Sequence, residues 1–274
     1  MDPIGKIGVN MSQRILLFIP AYNCEKQITR VLGQLDKEVL SYIEEVIVVN
    51  NRSTDHTEEV VLDYMNNHPE KPIKLMRNTD NYGLGGSQKM SFHYAIENGF
   101  DYVCMLHGDD QGNMEDFLPM LQKEIYTKYD CVLGARFMRG SKLQGYSKFR
   151  TFGNVVYNFI FAFVTRQRIF DLGSGLNLYK TSMLKDGFFD KFPDNLMFNY
   201  VMILASHYYK HKIVFYPVSW REEDQVSNVK MVSQAINVLK MAFAYLVDKE
   251  SIKKEFREIK RESYTCEQIT EVTE

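Results

Sequence analysis

The sequence predicts an α/β protein in which helices flank a mostly parallel central sheet. Short apolar runs alternate with helical patterns at regular spacing through the first half of the chain, as in repeated β-α-β units with right-handed crossovers. Each unusual polar cluster directly follows one of these apolar runs. Because ligands of such sheets bind beyond the carboxyl ends of the strands, we expect a site where these clusters meet.

Apolar runs of four to eight residues are predicted as strands. The run EVIVVN is apolar almost throughout, which is typical of a strand buried on both faces. A further strand is expected after the glycine-rich turn of the segment DLGSGLNLY, which begins at Asp171. The other predicted strands are Arg14–Pro20, Glu45–Asn50, Ile73–Arg77, Asp101–Leu106, Asp130–Ala135 and Ile213–Trp220.

Helical spacing of apolar residues separates these strands. Ser53 and Asp55 are suited to cap the helix that runs to Asn67. We divide the chain into an N-terminal extension (1–12), one domain (13–230) and a helical appendage with a tail (231–274). The other predicted helices are Glu25–Leu40, Gly83–Asn98, Met114–Tyr126, Met231–Val247 and a charged helix and tail over Ser251–Glu274.

The composition excludes several classes of protein. Hydrophobic residues make up 45% of the 274 residues and charged residues 25%, which are ordinary values for a globular protein. The net charge of -2 provides no global basic field, so no nucleic-acid partner is expected. The four cysteines stand far apart, which argues against a disulfide scaffold or a zinc knuckle and favours a cytoplasmic protein.

The segment HGDDQ, from His107 to Gln111, directly follows a predicted buried strand. Two adjacent acids and an amide offer the hard oxygen ligands that Mg²⁺ or Mn²⁺ prefers. Mg²⁺ usually combines one or two carboxylates with substrate phosphates. We expect Asp109 to hold the metal and Asp110 to have a structural role. The alternative is a solvated acidic turn that caps the next helix.

Three more clusters carry groups that suit a nucleotide. Tyr22, at the end of the first strand, is placed to stack on a base, and the asparagines of NNRSTD offer amide groups to base edges. The glycines of NYGLGGS precede a predicted helix N-terminus, where phosphates bind. Lys89 is expected to reach a diphosphate. Each cluster has a purely structural alternative as a turn or a helix cap.

Taken together, the clusters resemble glycosyltransferase family 2, and within it the dolichyl-phosphate mannosyltransferase-like branch of polyprenyl-phosphate glycosyltransferases. PAYN with Glu25 is similar to the family's PxYNE, and VVNNRSTDHT is similar to its VDDGSTDGT. HGDDQ stands in place of the family's DxD, GAR matches its G(S/A)R, and DLGSGLNLY matches D-x-x-S-G-[FL]-x-x-Y. The similarity spans residues 14–230. It implies an inverting enzyme with the Rossmann-like GT-A fold.

The resemblance implies a nucleotide-sugar donor, either a UDP- or a GDP-sugar. His107, Asp109 and Gln111 would hold Mg²⁺ or Mn²⁺, which neutralises the leaving diphosphate. Asparagines replace the family's paired acids after the second strand, which leaves the base open. His107 replaces the first DxD acid and either binds the metal or packs. The implied donor-binding residues are Pro20, Tyr22, Asn23, Glu25, Asn50, Asn51, Ser53, Gly83, Lys89 and Asp109.

The second half of the chain bears on the acceptor. Family members that glycosylate hydroxyls usually carry a general base, and the matching stretch here offers Asn199, with Asp194 as the nearest acid. A phosphate acceptor is already an anion and requires cations instead. We expect a polyprenyl-phosphate-type acceptor, with Asp109, Arg136 and Asp194 as catalytic candidates. The expected acceptor-binding residues are Arg136, Lys148, Arg150, Ser174, Gly175, Arg221 and Lys230.

Three other functions stay open at this point. A family 2 enzyme that adds a sugar to a growing capsule or lipopolysaccharide would share the donor site and differ in the acceptor. A non-catalytic nucleotide-sugar-binding protein would explain the departures at His107 and the paired asparagines. A nucleotidyltransferase would normally have a glycine-rich, basic loop after the first strand, which PAYNCEKQ is not.

One segment has a pattern that suits a membrane surface. Its apolar residues include the i, i+3, i+4 spacing of a helix face, which is either ordinary core or an amphipathic helix at a bilayer. No apolar run reaches the roughly 18 residues of a membrane span, so any membrane contact should be peripheral, at the inner face. The oligomeric state is not predicted. The residues are Phe152, Val155, Val156, Phe159, Ile160 and Phe163.

Overall fold

In the computed structural model, which describes residues 13–222 and 231–271, one eight-stranded sheet runs through the molecule. The strand order is β10-β3-β2-β1-β4-β7-β5-β8, and β6 pairs with β9 in a separate ribbon. The strands are β1 (Ile15–Ala21), β2 (Glu45–Asn50), β3 (Ile73–Asn78), β4 (Tyr102–Leu106), β5 (Cys131–Ala135), β6 (Leu143–Gln144), β7 (Leu176–Lys180), β8 (Ile213–Pro217), β9 (Trp220–Arg221) and β10 (Cys266–Ile269).

Helices cover both faces of this sheet. They are α1 (Ile28–Gly33), α2 (Lys37–Leu40), α3 (Thr57–Asn67), α4 (Gly83–Glu97), α5 (Leu118–Gln122), α6 (Lys148–Thr165), α7 (Thr181–Leu184), α8 (Phe198–Tyr208) and α9 (Met231–Val247). Short 3₁₀ helices occupy Met114–Asp116, Ile125–Lys128 and Lys249–Lys253. Within the part of the chain that the structure describes, no helix has the length and apolarity to cross a bilayer.

The two faces of the sheet form two cores. In β1, Leu16 and Phe18 pack into one core, while Leu17 and Ile19 pack into the other, because successive side chains of a strand point to opposite faces. Parallel pairing of β1 with β2 and β4 aligns the carboxyl ends of three strands at one edge. The predicted α/β fold with a mostly parallel sheet is therefore confirmed.

The strand β7 is antiparallel to both β4 and β5. Its first residue, Leu176, consequently lies at the edge where β4 and β5 end. This direction brings the turn of DLGSG to the polar clusters that follow the parallel strands. The predicted single run Ile213–Trp220 is interrupted after Pro217, and Trp220 begins β9 beside β6.

Several predicted helices differ from the structure. The expected helix Met114–Tyr126 is broken into three short segments, because Pro119 lies in the first turn of a new helix that begins at Leu118, and Glu124 adopts a left-handed φ of 48°. The expected helix Glu25–Leu40 is divided into α1 and α2, and Asp36 caps the second. Each of these breaks depends on a single residue. The periodicity of apolar residues does not reveal such breaks.

The C-terminal prediction of a charged helix is wrong for the described residues. Cys266–Ile269 forms an antiparallel strand on β3, which covers an edge that would otherwise expose unpaired backbone groups. The predicted helix Met231–Val247 is confirmed as α9. The predicted extension 1–12 and the boundary at residue 230 lie outside the described residues.

Candidate functional site

A cavity of about 1200 Å³ opens at the carboxyl edge of the sheet. Its walls come from the segments that follow β1, β2, β4 and β5 and from helices α6, α8 and α9. The clusters that the sequence places after separate strands therefore share one cavity. The predicted site residues that line it are Pro20, Tyr22, Asn23, Glu25, Asn51, Gly83, His107, Asp109, Gln111, Arg136 and Arg150.

The turn after β1 is held against the turn after β2 by reciprocal hydrogen bonds. The amide of Asn23 donates to Oγ of Ser53 at 3.0 Å, and the amide of His56 donates to Oε2 of Glu25 at 2.9 Å. Ser53 itself therefore positions Asn23. These bonds leave the Tyr22 ring 46% exposed in the cavity wall, where a flat base can stack on it.

The paired asparagines have different surroundings. Asn50 is buried and donates to Oε2 of Glu58 at 2.6 Å, so it is structural, which corrects its assignment to the donor. Asn51 lines the cavity. Its Nδ2 donates to Oδ1 of Asn81 at 2.9 Å, and its Oδ1 accepts from the Tyr82 amide. Asn51 thus positions the loop before α4. Asn81, in that loop, also lines the cavity.

The glycine-rich segment at the start of α4 packs against the chain before α8. A Cβ on Gly85 would lie 2.5 Å from the carbonyl oxygen of Pro193, and one on Gly83 2.5 Å from that of Asp194. The glycines therefore permit close packing of the helix. Gly83 also lines the cavity. Close backbone approach is a common reason for glycine.

The structure corrects the prediction for Lys89. Its side chain is fully buried, and Nζ donates to Oδ1 of Asp194 at 2.8 Å and to the hydroxyl of Tyr264 at 3.1 Å. Burial lowers the pKa of Lys89, while the Asp194 carboxylate opposes that shift. The ammonium group is thus part of the core and does not face the cavity.

The carboxylate of Asp194 is likewise bound to other side chains of the protein. Its Oδ1 accepts from Lys89 and from Tyr264, and its Oδ2 accepts from Arg261 at 3.1 Å. Asp194 does not line the cavity, and its carboxylate oxygens are taken up by these three partners. Its assignment as a catalytic residue is therefore corrected on position: Asp194 links the C-terminal segment to α4.

The two acids of HGDDQ point in different directions. Asp110 is buried, with its backbone at a left-handed φ of 60°. Its carboxylate pairs with Arg30 at 2.6 Å and with Arg221, and Gln34 donates to it at 3.1 Å. The expectation of a structural Asp110 is therefore supported. Arg221 binds both the carbonyl and the carboxylate of Asp110 and does not line the cavity, so its assignment to the acceptor phosphate stays a prediction.

Asp109 faces the cavity, and 38% of its side chain is exposed there. Burial raises the pKa of Asp109 and lowers that of His107, so a neutral imidazole is favoured. Among the described residues, no donor or acceptor reaches the buried Nε2 of His107, and Nδ1 lies 3.9 Å from Oδ2 of Asp109. Nδ1 of His107 and the Asp109 carboxylate are therefore the pair that could hold a divalent ion, and Gln111 lines the cavity beside them.

The described residues contain no group of three or more His, Cys, Asp or Glu side chains placed to hold a metal. A divalent ion at His107, Asp109 and Gln111 would therefore need oxygens from a bound diphosphate. This requirement fits the preference of Mg²⁺ for few carboxylates together with substrate phosphates.

Arg136 also lines the cavity, and aromatic rings surround its guanidinium. Its guanidinium carbon lies 5.0 Å from the ring centre of Trp220 and 5.8 Å from that of Tyr146. Its Nε and Nη2 donate to the carboxylate of Asp171 at 2.7 and 2.8 Å. Burial disfavours the charge, yet the Asp171 carboxylate outweighs it and raises the pKa of Arg136.

The remaining acceptor candidates have separate positions. Arg150 lines the cavity and pairs with Glu222 at 2.6 Å, and Lys148 is exposed at the first turn of α6. Ser174 is buried, and its Oγ accepts from the Leu176 amide at 3.2 Å. Ser174 is thus structural, which corrects its assignment. Lys230 lies outside the described residues.

Gly175 contacts His107, the candidate metal ligand, and not the residues expected to bind the acceptor. A Cβ there would lie 2.6 Å from Cγ of His107, and the His107 amide donates to the Gly175 carbonyl at 3.1 Å. Gly175 therefore sets the position of the imidazole, which corrects its assignment to the acceptor. Its neighbour Gly173 lines the cavity.

The sequence argument missed several residues of the cavity wall. Asp55 and Asn81 belong to clusters that were recognised, but their place in the wall depends on the loops around them. Aromatic residues far apart in sequence carry no local signal that places them together. The missed residues include Asp55, Asn81, Tyr146, Asn154, Tyr157, Tyr200 and Trp220.

The match to protein families agrees with this geometry. Residues 17–188, which are more than half of the chain, match the model of "Glycosyl transferase family 2". The chain belongs to glycosyl transferase family 2. It is therefore a glycosyltransferase, and the expected family membership is confirmed.

Relatives within this family share low but extended identity. A dolichyl-phosphate beta-glucosyltransferase of Trichomonas vaginalis is 23% identical over 246 residues, which cover 83% of this chain and 70% of the relative. A UDP-N-acetylglucosamine–dolichyl-phosphate N-acetylglucosaminyltransferase of Methanococcus voltae is 26% identical over 181 residues, covering 62% of this chain and 71% of the relative.

Solved structures confirm the GT-A fold of this family 2 chain. Mycobacterium tuberculosis glucosyl-3-phosphoglycerate synthase, solved with Mn²⁺, UDP-glucose and phosphoglyceric acid, matches with a TM-score of 0.61 and 14% identity over 86% of this chain and 80% of that one. S. aureus TarS 1-349 with UDP-GlcNAc matches with a TM-score of 0.56 and 19% identity, over 89% and 71%.

Proposed function

We propose that this family 2 enzyme transfers a sugar from a nucleoside-diphosphate sugar to a polyprenyl phosphate in a metal-dependent, inverting reaction. The observation that carries the proposal is the single cavity that joins Tyr22 and Asp109 to Arg136 and Arg150. Relatives that act on dolichyl phosphate support this acceptor class.

The nucleotide end of the cavity would hold the donor. Tyr22 offers a ring for the base, and Asn51 and Asn81 order the loop beside it. The proposed donor-binding set is therefore Pro20, Tyr22, Asn23, Glu25, Asn51, Asn81 and Gly83, with Ser53 in support. A UDP-sugar is the favoured donor, because the Methanococcus voltae relative is named for UDP-N-acetylglucosamine.

His107, Asp109 and Gln111 would hold Mg²⁺ or Mn²⁺ against the donor diphosphate. When bound, such an ion neutralises the charge that develops on the leaving nucleoside diphosphate. Gly175 and the turn that contains Asp110 hold these side chains at the carboxyl end of β4. Their rigid support reduces the reorganisation that the reaction requires.

The acceptor end suits a group that is already an anion. Within 13–222 and 231–271, the carboxylates that line the cavity are those of Glu25, Asp55, Asp109 and Glu222. The first two support the donor end, and Glu222 is paired with Arg150 at 2.6 Å. An acceptor phosphate needs no base, and Arg136 and Arg150, each already paired with a carboxylate, are the cavity cations that would bind it. The oxygen of the phosphate would attack the anomeric carbon as the diphosphate leaves.

The first test measures thermal stabilisation by UDP, GDP, CDP and dTDP with Mn²⁺, with Mg²⁺ or with EDTA. A ligand that binds only the folded state raises the midpoint by mass action. We expect one base to stabilise the protein in a metal-dependent way. The absence of a shift with every nucleotide would contradict the donor site.

The second test compares acceptors with the donor so identified. We expect transfer to a short polyprenyl phosphate and none to the matching neutral polyprenol. Asp194→Asn should lower stability yet retain transfer by the folded fraction, because Asp194 is bonded away from the cavity. Transfer to a hydroxyl acceptor that is abolished by Asp194→Asn would instead favour a glycan-elongating enzyme.

A further inference from the structure

The loop between β3 and α4 forms part of the cavity wall. It covers residues 79–82 and is called the 79–82 loop below. Asn81 of this loop lines the cavity together with Asn51, which follows β2. Most of the loop is exposed. An exposed polar loop buries few apolar contacts of its own, so its conformation depends on the groups that hold it.

Two asparagine side chains hold the inner side of the 79–82 loop. Oδ1 of Asn51 accepts from the amide of Tyr82 at 2.9 Å, and Oδ1 of Asn81 accepts from the amide of Gly83 at 3.0 Å. Nδ2 of Asn51 also donates to Oδ1 of Asn81 at 2.9 Å. Because these bonds join the loop to side chains of the cavity wall, a shift of the loop would move polar groups at the proposed nucleotide end.

Arg261 holds the outer side of the same loop, although it lies outside the residues 17–188 that match the family. Its Nη2 donates to Oδ2 of Asp80 at 2.8 Å, and its Nη1 donates to Oδ2 of Asp194 at 3.1 Å. The guanidinium carbon lies 5.2 Å from the ring centre of Tyr82. A planar guanidinium can bind two carboxylates at once in a fixed geometry, which an ammonium group does not reproduce.

The residues that follow Arg261 also bind the 79–82 loop. The amide of Thr265 donates to the hydroxyl of Tyr82 at 3.2 Å, and the amide of Thr79 donates to the carbonyl of Thr265 at 3.1 Å. The ring of Tyr264 packs edge-on against that of Tyr82, with the ring centres 5.2 Å apart. The C-terminal segment therefore lies across the loop just before it pairs with β3 as β10.

From these contacts we propose that Arg261 is a positioning residue for the donor, which holds the 79–82 loop so that Asn51 and Asn81 keep their places at the nucleotide. The inference rests on the proposed function for the location of the nucleotide, while the support of the loop rests on the contacts themselves. The pairing of β10 with β3 already holds the C-terminal segment on the sheet. The bond from Arg261 to Asp80 therefore adds support to the loop.

The test measures the binding of UDP, GDP, CDP and dTDP in the presence of Mn²⁺ by isothermal titration calorimetry. This method gives the dissociation constant separately from the fraction of the protein that is folded. Arg261→Met should weaken binding of the nucleotide that the parent protein prefers by about tenfold, a typical coupling within one hydrogen-bond network. Arg261→Lys should lose less, because it keeps a charge for Asp80. A loss of binding-competent protein at an unchanged dissociation constant would show a merely structural role and overturn the proposal.

Asp80→Ala should reproduce the loss of Arg261→Met. The double variant should lose no more than either single variant, because both remove the same contact. Glu267→Gln is the matched control in the same segment, since Glu267 pairs with Arg77 at 3.4 Å and not with the loop. It should bind nucleotide like the parent protein. Losses that add in the double variant, or an equal loss in Glu267→Gln, would overturn the proposal.

Amide hydrogen exchange tests the loop without a nucleotide. The amides of Tyr82 and Gly83 should exchange faster in Arg261→Met than in the parent protein, because Asn51 and Asn81 would hold them less firmly. Unchanged exchange, or faster exchange with an unchanged dissociation constant, would overturn the positioning role. If the parent protein binds none of the nucleotides, the proposed donor site fails, and faster exchange would then support only the hold of Arg261 on the loop.

Discussion

The guanidinium of Arg136 donates two parallel hydrogen bonds to the carboxylate of Asp171, from Nε to Oδ2 at 2.7 Å and from Nη2 to Oδ1 at 2.8 Å. Both residues are buried. The backbone amide of Arg136 also donates to Oδ2 of Asp171 at 2.8 Å. The pair therefore fixes the orientation of the guanidinium in the cavity wall.

Arg136→Lys should impair the acceptor step selectively. Lysine keeps the positive charge but loses the planar fork that holds Asp171 and faces the cavity. A hydrogen bond to a charged group contributes about 1.5–3 kcal/mol, so kcat/KM for the acceptor should fall by about 10- to 100-fold. Steady-state kinetics with varied polyprenyl phosphate measures this loss.

Nucleotide-dependent thermal stabilisation should be unchanged in Arg136→Lys. Arg139→Lys, at an exposed position, is the matched control and should transfer normally. If Arg136→Lys weakened nucleotide binding as much as it lowered kcat/KM for the acceptor, the assignment of Arg136 to the acceptor would be contradicted.

Asp109→Asn and Asp110→Asn should separate function from stability. Asp109→Asn should abolish the Mn²⁺-dependent part of nucleotide stabilisation and change the free energy of unfolding by less than about 1 kcal/mol. Asp110→Asn should lower that free energy by about 3–5 kcal/mol, because Arg30 and Arg221 lose a buried carboxylate.

Urea denaturation and thermal shift with and without EDTA measure the two effects. Asp110 is the natural control for Asp109, since the two acids are adjacent and only Asp109 lines the cavity. The reverse pattern, with metal dependence lost in Asp110→Asn alone, would show that the wrong acid has been assigned.

Gly85→Ala should disrupt the packing of α4. The added Cβ would lie 2.5 Å from the carbonyl oxygen of Pro193 and 2.7 Å from Cβ of Phe198. Both contacts are far shorter than normal, so we expect a loss of about 1–3 kcal/mol in the free energy of unfolding. The measurement is urea denaturation of the purified variants.

Gly153→Ala is the matched substitution, because it lies inside α6 with no atom within 4 Å of its added Cβ. It should raise the free energy of unfolding by roughly 0.5–1 kcal/mol, the usual difference between glycine and alanine in a helix. Equal effects of the two substitutions would contradict the packing role of Gly85.

His93 should make stability depend on pH. A hydrogen bond between its Nε2 and Oδ1 of Asp190, at 2.7 Å, raises the pKa of His93 in the folded protein. Its stabilising contribution is therefore fully present below the unfolded histidine pKa of about 6.5. It is lost as the pH rises through the higher folded value.

The free energy of unfolding, measured in urea between pH 5 and 9, should show this loss for the parent protein relative to His93→Gln. The comparison removes the titration of His207 and His211, whose pKa values are lowered by burial and which act in the opposite direction. A parent–variant difference that does not change with pH would refute the role of this pair.

Local sequence patterns were sufficient for the parallel part of the sheet. Runs such as EVIVVN are apolar enough to require burial on both faces of the sheet. The helical segments between these runs indicate that successive strands are parallel and connected by crossovers. The polar clusters after β1, β2 and β4 could then be placed at one edge. Tyr22, Asp109 and Arg136 accordingly line one cavity, as expected.

The C-terminal strand could not be predicted in the same way. Cys266–Ile269 is short and polar, and its pairing with β3 joins residues almost two hundred positions apart. The antiparallel direction of β7 is likewise a property of the assembled sheet. Neither feature has a periodicity that distinguishes it from a loop or a charged helix.

By itself, the sequence determined the fold class, the family resemblance and the edge at which the site lies, because these depend on local spacing and short motifs. Only the tertiary structure decided which charged side chains face the cavity. Lys89 and Arg261 both pair with Asp194, and Arg30 and Arg221 both pair with the buried Asp110. A buried charge requires a partner of opposite sign, and that partner is chosen by the packing of distant segments.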